Sequence, residues 1–598
     1  MDLATGTRRH PGSDAFREYI DNQLGEHAHS GINGSGEEQA FVCNEALTNY
    51  WTRERITGVL ILDDNTEADA EAIGTACLET FSILCYISCS AYFSHFTSLQ
   101  INDGLLPIKQ TNYSECQWSG DVGFVDALTR FCVAQWKFKP LVFDNIKHRK
   151  ALRSECILPI AYDKAAPLTK PTNGELAMYK ASVYPCCAGS IFTRNMGGND
   201  LALKMLRSSD SHHWDNEVDA YTFLSRSSPD NRDAPRKRPL TMMAASPSTA
   251  ASFNYITKYL GSFIITPPQG VLEYHRTDPH TAAAQRPDLD KTHVILVEHA
   301  RGGNLTSFWQ RHIDLVTSPK REDRVNLWHQ MFHLLRALSA VHSIDGTHQG
   351  IQESNVLFMR EDGFPTDREK ACFKLTDFGK SQFKTPGGTG TGARVNHFDN
   401  HTYMAPECYE TDDIGRTSSR PYRKAADIWS LGCLFSDMLV RSSLGREGVD
   451  RYREARVTAN RQTIVRTYAP QCFHDGIQRL RCVDEFHQEA LKKYPDDDVL
   501  RAVSDIILDH MLQQETARTD DALTIRGHWI NRIVARRDSP AAALARFPID
   551  SEPSPTPTIS AQLFSIGNIV RRVDLKAVHH ASYCAFDQVG KHDCKAPR

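Results

Sequence analysis

From Glu322 to Ser343 the apolar residues Val325, Trp328, Met331, Phe332, Leu335, Leu338 and Val341 recur every three or four positions. That spacing predicts one helix with a face in a core. A second helical pattern, HHWDNEVDAYTFL, follows LALKML, an apolar run of strand length. Phe41 to Ile157 is apolar and mostly helical in pattern, interrupted at Asn102-Asp103-Gly104 and Ser119-Gly120. Within it Thr80–Phe96 carries no Asp, Glu, Lys or Arg. This stretch is shorter than the roughly 20 apolar residues of a spanning helix, so a buried helix is expected there. Strand-like runs begin at about Leu158. The polar, Gly-rich residues 1–40 predict a loose segment. The Pro-, Ser- and Arg-rich tract at 225–252 predicts a surface insertion, and SEPSPTPTIS at 551–560 predicts a linker. The expected division is 1–40 loose, 41–157 an accessory helical domain, 158–300 and 301–533 the main portions, and 534–598 a linker and tail.

Composition narrows the class. Of the 598 residues, 40% are hydrophobic and 24% charged, as in globular proteins. A net charge of −4 gives no electrostatic reason for a nucleic-acid or anionic-membrane partner. The opening MDLATGTRRHPG lacks the apolar core of a signal peptide. The 16 cysteines include no CxxC pair, so free thiols in a reducing, intracellular and most simply cytoplasmic setting are expected. Cys85 and Cys89 stand one helical turn apart, but two thiols do not make a metal site. The spacings of His579, His580, Cys584, His592 and Cys594 in the tail match no zinc-knuckle pattern.

The chemistry gathers downstream. HQGIQESNVLF (348–358) is followed by KLTDFGK, which places Asp377-Phe378-Gly379 22 positions beyond Asn355, with room for a strand, a polar hairpin and a second strand. Ala405-Pro406-Glu407 comes 30 positions after Asp377, and ADIWSLGC follows with Asp427, Trp429 and Gly432. Arg518 lies in MLQQETARTDDALTI. Upstream, Lys204 sits in LALKML and Glu217 stands 13 positions later in the predicted helix. Alone, each would read as a solvated charge. In this order, Leu158 to Ile533 resembles a eukaryotic protein kinase domain of the Ser/Thr type. HQGIQESNVLF, TYMAPECYE, DIWSLGCLFSDML and CFHDG are similar, more narrowly, to kinase-like proteins of filamentous fungi, which usually carry a helical region ahead of the kinase part.

The resemblance implies an α+β, two-lobed kinase-like fold with a mainly helical N-terminal accessory domain, a small lobe at 158–300 and a large lobe at 301–533. It implies that Lys204 and Glu217 orient the phosphates of ATP, that Ala202 and Leu357 sandwich the adenine, and that Glu298, His299 and Ala300 form the hinge. Asn355 and Asp377 would hold Mg²⁺. His348 and Phe378 would belong to a stacked spine, Asp427 to the central helix, and Glu407 and Arg518 to a buried ion pair closing the activation segment.

Four departures cluster. The position of the proton-accepting Asp is Gly350, the phosphate-contacting Lys is Gln352, and the Thr that would bond both is Asn400. The glycine-rich loop is degraded, with Pro171, Asn173 and Leu176 at the three glycine positions and Gly174 alone nearby. Gln349 also replaces the Arg that would read a phosphate on Thr385, Thr389 or Thr391. The expected function is an ATP-binding pseudokinase, using ATP and Mg²⁺ and acting as a scaffold or allosteric regulator on a protein partner. The alternative is an atypical but active Ser/Thr kinase that transfers the ATP γ-phosphate to a protein hydroxyl.

Overall fold

The computed structural model describes residues 11–534 except 26–28, 64–69, 142–149, 170–176, 185–199, 208–210, 228–251, 267–290, 361–372, 384–400, 409–423, 463–468 and 519. Residues 228–251 of the insertion expected at 225–252, the linker and tail beyond Val534, Pro171, Asn173, Gly174, Leu176, Asn400, Thr385, Thr389 and Thr391 therefore lie outside the described residues.

The N-terminal portion is a layer of helices, Pro11–Leu24, Asn44–Tyr50, Arg53–Leu62, Ala70–Ala76, Leu78–Tyr86, Phe93–Ser98 and Val122–Phe138. Phe16, Leu47, Trp51, Phe81, Phe96, Phe124 and Phe131 share one core. The Asn102-Asp103-Gly104 interruption has a structural use. Asp103 accepts the Glu79 and Thr80 N–H groups at 2.9 and 2.8 Å, capping the helix Leu78–Tyr86. That helix is buried from Leu78 to Cys85 and ends before Ser88, whose φ of 57° leaves the helical region. Among the described residues no helix is long and apolar enough to cross a membrane.

The expectation of a loose segment through residue 40 needs correcting. Pro11–Leu24 is a helix that buries Phe16 and Ile20, one turn apart, against the helical layer. Strands β1 (His29–Asn33) and β2 (Glu38–Phe41) form a hairpin turned by Gly36 at φ 81°. Few apolar residues suffice here because the neighbours already supply the core. The hairpin also joins the two portions of the chain. β1 pairs with β4 (Ile157–Leu158), Thr266 N–H donates to the Gly34 carbonyl at 3.0 Å, and Val42 N–H donates to the Lys137 carbonyl at 2.7 Å.

Between residues 150 and 298 a six-stranded sheet runs in the order β3-β8-β9-β7-β6-β5, where β3 is Lys150–Ala151, β5 Ile160–Thr169, β6 Ala177–Val183, β7 Asp200–Arg207, β8 Tyr259–Ile265 and β9 Thr292–Glu298. Only β3 pairs in parallel; the remaining pairs are antiparallel. β3 shows that the sheet recruits residues ahead of the boundary expected at 158. The helix Ser211–Ser227 covers one face with Trp214, Val218, Tyr221 and Leu224.

Beyond Glu298 the structure is mainly helical. The single helix predicted over Glu322–Ser343 is two, Arg321–Phe332 and Leu334–Ser343, with His333 between them. Both pack into one core, which is why the apolar spacing runs through the break unchanged. Phe332 stacks on Trp529 at 4.9 Å and meets Phe435 at 5.2 Å. Phe435 lies on Lys424–Arg461, a helix kinked at Gly445 (φ 73°). On that helix a Cβ at Gly432 would approach Met511 Cβ to 2.8 Å and a Leu512 methyl to 3.0 Å. Gly432→Ala is expected to cost about 1–3 kcal/mol of stability through overpacking, read as a lowered thermal midpoint.

Candidate nucleotide site

The alternation of β7 sorts its side chains. Leu201 and Leu203 enter the core on one face of the sheet, while Ala202 and Leu206 enter the core on the other, with Lys204 between them. On the covering helix, Glu217 shares the inward face with Trp214, Val218 and Tyr221. Lys204 Nζ lies 2.6 Å from Glu217 Oε2 and 3.0 Å from Asp377 Oδ1. Burial opposes the charge on Lys204, but the carboxylates of Asp377 and Glu217 outweigh it and hold the ammonium above the ordinary lysine range. Burial likewise opposes ionisation of Asp377, yet Lys204 draws its carboxyl down to about 2. Burial raises Glu217 against the pull of Lys204. The ammonium is thus shared between two carboxylates.

Asp377 sits in the left-handed region at φ 64°, which Asp tolerates better than most residues. Its neighbour Phe378 enters a stack of four rings. Tyr259 lies parallel to Tyr221 at 5.3 Å, Tyr221 meets Phe378 at 5.1 Å, and Phe378 meets His348 at 4.7 Å. Tyr221 stands one helical turn beyond Glu217, a spacing that was available in the sequence. Below the stack, fully buried Asp427 accepts the N–H groups of His348 and Gln349, each at 2.9 Å, and faces His342 Nε2 at 2.9 Å. These bonds pin Gln349 at φ 61°. The Gln349 side chain turns back to Thr347 Oγ1 at 2.9 Å.

The loop itself closes on its own backbone. Asn355 Nδ2 donates to the Gly350 carbonyl at 2.8 Å, and Asn355 N–H donates to the Gln352 carbonyl at 3.0 Å. A Cβ at Gly350 would meet Asn355 Nδ2 and the His348 ring at 3.6 Å or more, an ordinary contact, and its φ lies outside the left-handed region. Glycine is therefore not required there by space or backbone. The two nearby carboxylates are engaged elsewhere. Asp345 pairs with Lys424 at 2.9 Å. Glu353 accepts from Thr306 Oγ1 at 3.3 Å and lies within 3.8 and 4.0 Å of Arg441 and Arg453.

Ala202 is buried on β7 opposite Val297, and half-buried Leu357 lies on β11 (Val356–Phe358), which pairs with β12 (Phe373–Leu375). Glu298 ends β9, and its Oε1 accepts Lys258 N–H at 2.7 Å and Lys374 Nζ at 2.6 Å. Lys374, the first residue of KLTDFGK, ties the end of β9 to the strand Phe373–Leu375. Ala300 accepts Gly303 N–H at 2.9 Å in the turn that follows. Farther off, Glu407 and Arg518 form a bidentate pair at 2.9 and 3.0 Å, with the guanidinium over Trp429.

The oxygens of Asp377 and Asn355 are the hard donors that Mg²⁺ takes, and Lys204 is a cation suited to phosphate. The donor chemistry fits both groups. Comparison with known proteins agrees in kind. Residues 281–500 match the protein kinase domain family. The mitogen-activated protein kinase spk1 of Schizosaccharomyces pombe is 32% identical over 108 residues, 18% of this chain and 25% of that protein. The probable serine/threonine-protein kinase iksA of Dictyostelium discoideum is 29% identical over 160 residues, 24% of this chain and 15% of that protein. Extracellular signal-regulated kinase 1 of the same organism is 28% identical over 130 residues, 22% and 21% of the two chains. The chain thus spans at most a quarter of the length of these relatives. With the α+β two-lobed fold in place, the chain carries a eukaryotic protein-kinase-like domain.

Proposed function

We propose that this domain is a pseudokinase, binding ATP with Mg²⁺ and acting on a protein partner as a scaffold or allosteric regulator. The observation that carries the reading is the contrast between the Lys204–Glu217–Asp377 cluster, which is assembled, and the loop at Gly350, which offers no carboxylate. When bound, ATP supplies the transferable phosphoryl group and Mg²⁺ neutralises its charge. Lys204, held by Glu217, would hold the phosphates, and Asp377 and Asn355 would supply the metal's oxygen ligands. Nothing in the loop accepts a hydroxyl proton, since Asp345 and Glu353 are held by Lys424 and by Thr306.

ATP with Mg²⁺ is expected to raise the thermal midpoint of the wild type, by about 2.7 kcal/mol of stabilisation at a hundredfold excess over Kd. Asp377→Asn should lose the Mg²⁺-dependent part, and Lys204→Ala most of the shift. No stabilisation at millimolar ATP would sink the reading. A second reading, an active atypical kinase, draws on the kinase relatives and on the large share of phosphoryl transfer that comes from positioning. Robust transfer by the wild type that disappears in Asp377→Asn would favour it.

A further inference from the structure

Among the described residues one group of three side chains has the composition of a transition-metal site, and it lies outside the nucleotide cleft: His510, Asp520 and His528. They come from three segments. His510 is in the wide π turn Ile507–Met511 that continues the helix Asp498–Ile506, next to buried Met511 and Leu512. His528 precedes fully buried Trp529 on the helix Ala522–Trp529, whose first turn is capped by Asp521. Asp520 lies in the connection between them. Two of the three ligands therefore sit on elements whose neighbouring residues are locked in the core.

Their donor atoms converge. Asp520 Oδ2 is 2.7 Å from His510 Nδ1 and 3.3 Å from His528 Nε2, and the imidazole rings stack at 4.1 Å with 21° between their planes. All the candidate ligand atoms lie within 4.8 Å of one another. Zinc–nitrogen and zinc–oxygen bonds of about 2.0–2.2 Å place tetrahedral donors about 3.3 Å apart. Asp520 Oδ2 and His528 Nε2 already stand at that spacing, and His510 Nδ1 at 2.7 Å from Asp520 must draw back to admit an ion. Its side chains are 22%, 28% and 33% exposed, so an ion reaches them from water while one side stays covered. The plain alternative is a carboxylate that accepts two imidazole N–H bonds.

We propose that His510, Asp520 and His528 bind a divalent transition metal of the zinc class, with water at the open position. Two imidazoles suit zinc and do not suit Mg²⁺, which takes oxygen ligands. On binding, each imidazole gives a nitrogen lone pair to the ion in place of its hydrogen bond to Asp520. The proton on that nitrogen moves to the other ring nitrogen or to solvent. The consequence lies two residues upstream. Arg518 occupies the same connection and holds Glu407, so an ion on Asp520 clasps the loop that anchors the activation segment to the large lobe.

The test titrates chelator-treated full-length protein with ZnCl₂, and separately with MgCl₂, by calorimetry and thermal unfolding. Wild type, Asp520→Asn and His528→Gln are compared, so that zinc taken up by other His and Cys residues cancels in the difference. Asp520→Asn keeps the side-chain volume and a hydrogen-bond acceptor, which makes the fold a controlled variable. The expected result is one zinc equivalent whose Kd weakens more than about tenfold in each variant, since even groups outside the first coordination shell are worth that much. Zinc, but not Mg²⁺, should also slow hydrogen exchange of residues 513–521 in the wild type. Equal zinc stoichiometry and affinity in all three proteins would overturn the site and leave a hydrogen-bonded cluster. Zinc binding at the site with unchanged exchange of the loop would overturn the clasp.

Discussion

The Gly350→Asp, Gln352→Lys double variant should transfer phosphate to generic Ser/Thr peptides about 10²-fold or more faster than the wild type, whose own rate stays near background. A positioned general base is worth about 10²–10⁴-fold. The structure permits the change because a side chain at Gly350 meets Asn355 and His348 only at ordinary contact distance. The backbone there is already held from both sides, by Asn355 Nδ2 on the Gly350 carbonyl and by Asp427 on the two preceding N–H groups. A new carboxylate would therefore start from a prepared position. Radiolabelled ATP with Mg²⁺ measures the rate, and Asp377→Asn in the same background should return it to background. A double variant that binds ATP as the wild type does but gains no transfer would show that Gly350 is not the missing element. Such a result would shift attention to the glycine-poor stretch at 171–176 and to Asn400.

Arg456→Ala should destabilise the protein by about 3–5 kcal/mol, because it leaves the carboxylate of Asp437 buried without its partner. Arg456 and Asp437 are 1% and 2% exposed and 3.0 Å apart. The guanidinium also lies over the rings of Tyr452 and Phe473, at 4.2 and 3.9 Å, and its Nε donates to the Gln471 carbonyl. Arg451, five residues earlier on the same helix, provides the control. Its pair with Glu489 is nearly half exposed on both sides, so Arg451→Ala should change stability by about 1 kcal/mol or less. Thermal or urea unfolding of the two variants separates the cases, and equal losses would show that Asp437 is solvated or neutral in the folded chain.

The buried pair has a functional address. Asp437 also accepts the Tyr403 hydroxyl at 3.1 Å, Ser430 Oγ donates to the Tyr403 carbonyl at 2.8 Å, His474 Nε2 meets the Met404 carbonyl at 3.1 Å, and Arg518 grips Glu407. The segment Tyr403–Glu407 is thus held by four large-lobe side chains, at a place where the catalytic loop lacks its carboxylate.

Part of this was legible in the residues. The series from Lys204 through Glu217, Asn355 and Asp377 to Glu407 and Arg518 could be set in order because each member sits in a short motif of distinctive composition. The departure at Gly350 could be seen for the same reason. The helix at 11–24 carries an apolar stripe at helical spacing, Phe16, Tyr19, Ile20 and Leu24, which the polar, Gly-rich composition of residues 1–40 as a whole obscures. The commitment of Glu298 to Lys374 was hidden too, because 76 residues separate the partners and nothing in either segment names the other.

The same distinction covers the whole chain. Local order along the sequence determined which elements exist, which motif follows which, and which side chains the catalytic loop lacks, because spacing and side-chain type are properties of consecutive residues. Beyond the pairs that the resemblance implied, Lys204 with Glu217 and Glu407 with Arg518, only the tertiary structure decided which charges meet. It placed Lys204 between Glu217 and Asp377, stacked Tyr259 and Tyr221 above Phe378 and His348, buried Arg456 on Asp437, and brought His510, Asp520 and His528 around one point. Each of these depends on how the segments pack, whether 13 residues apart as Lys204 and Glu217 or 173 as Lys204 and Asp377. Packing sets such distances, and no periodicity records them.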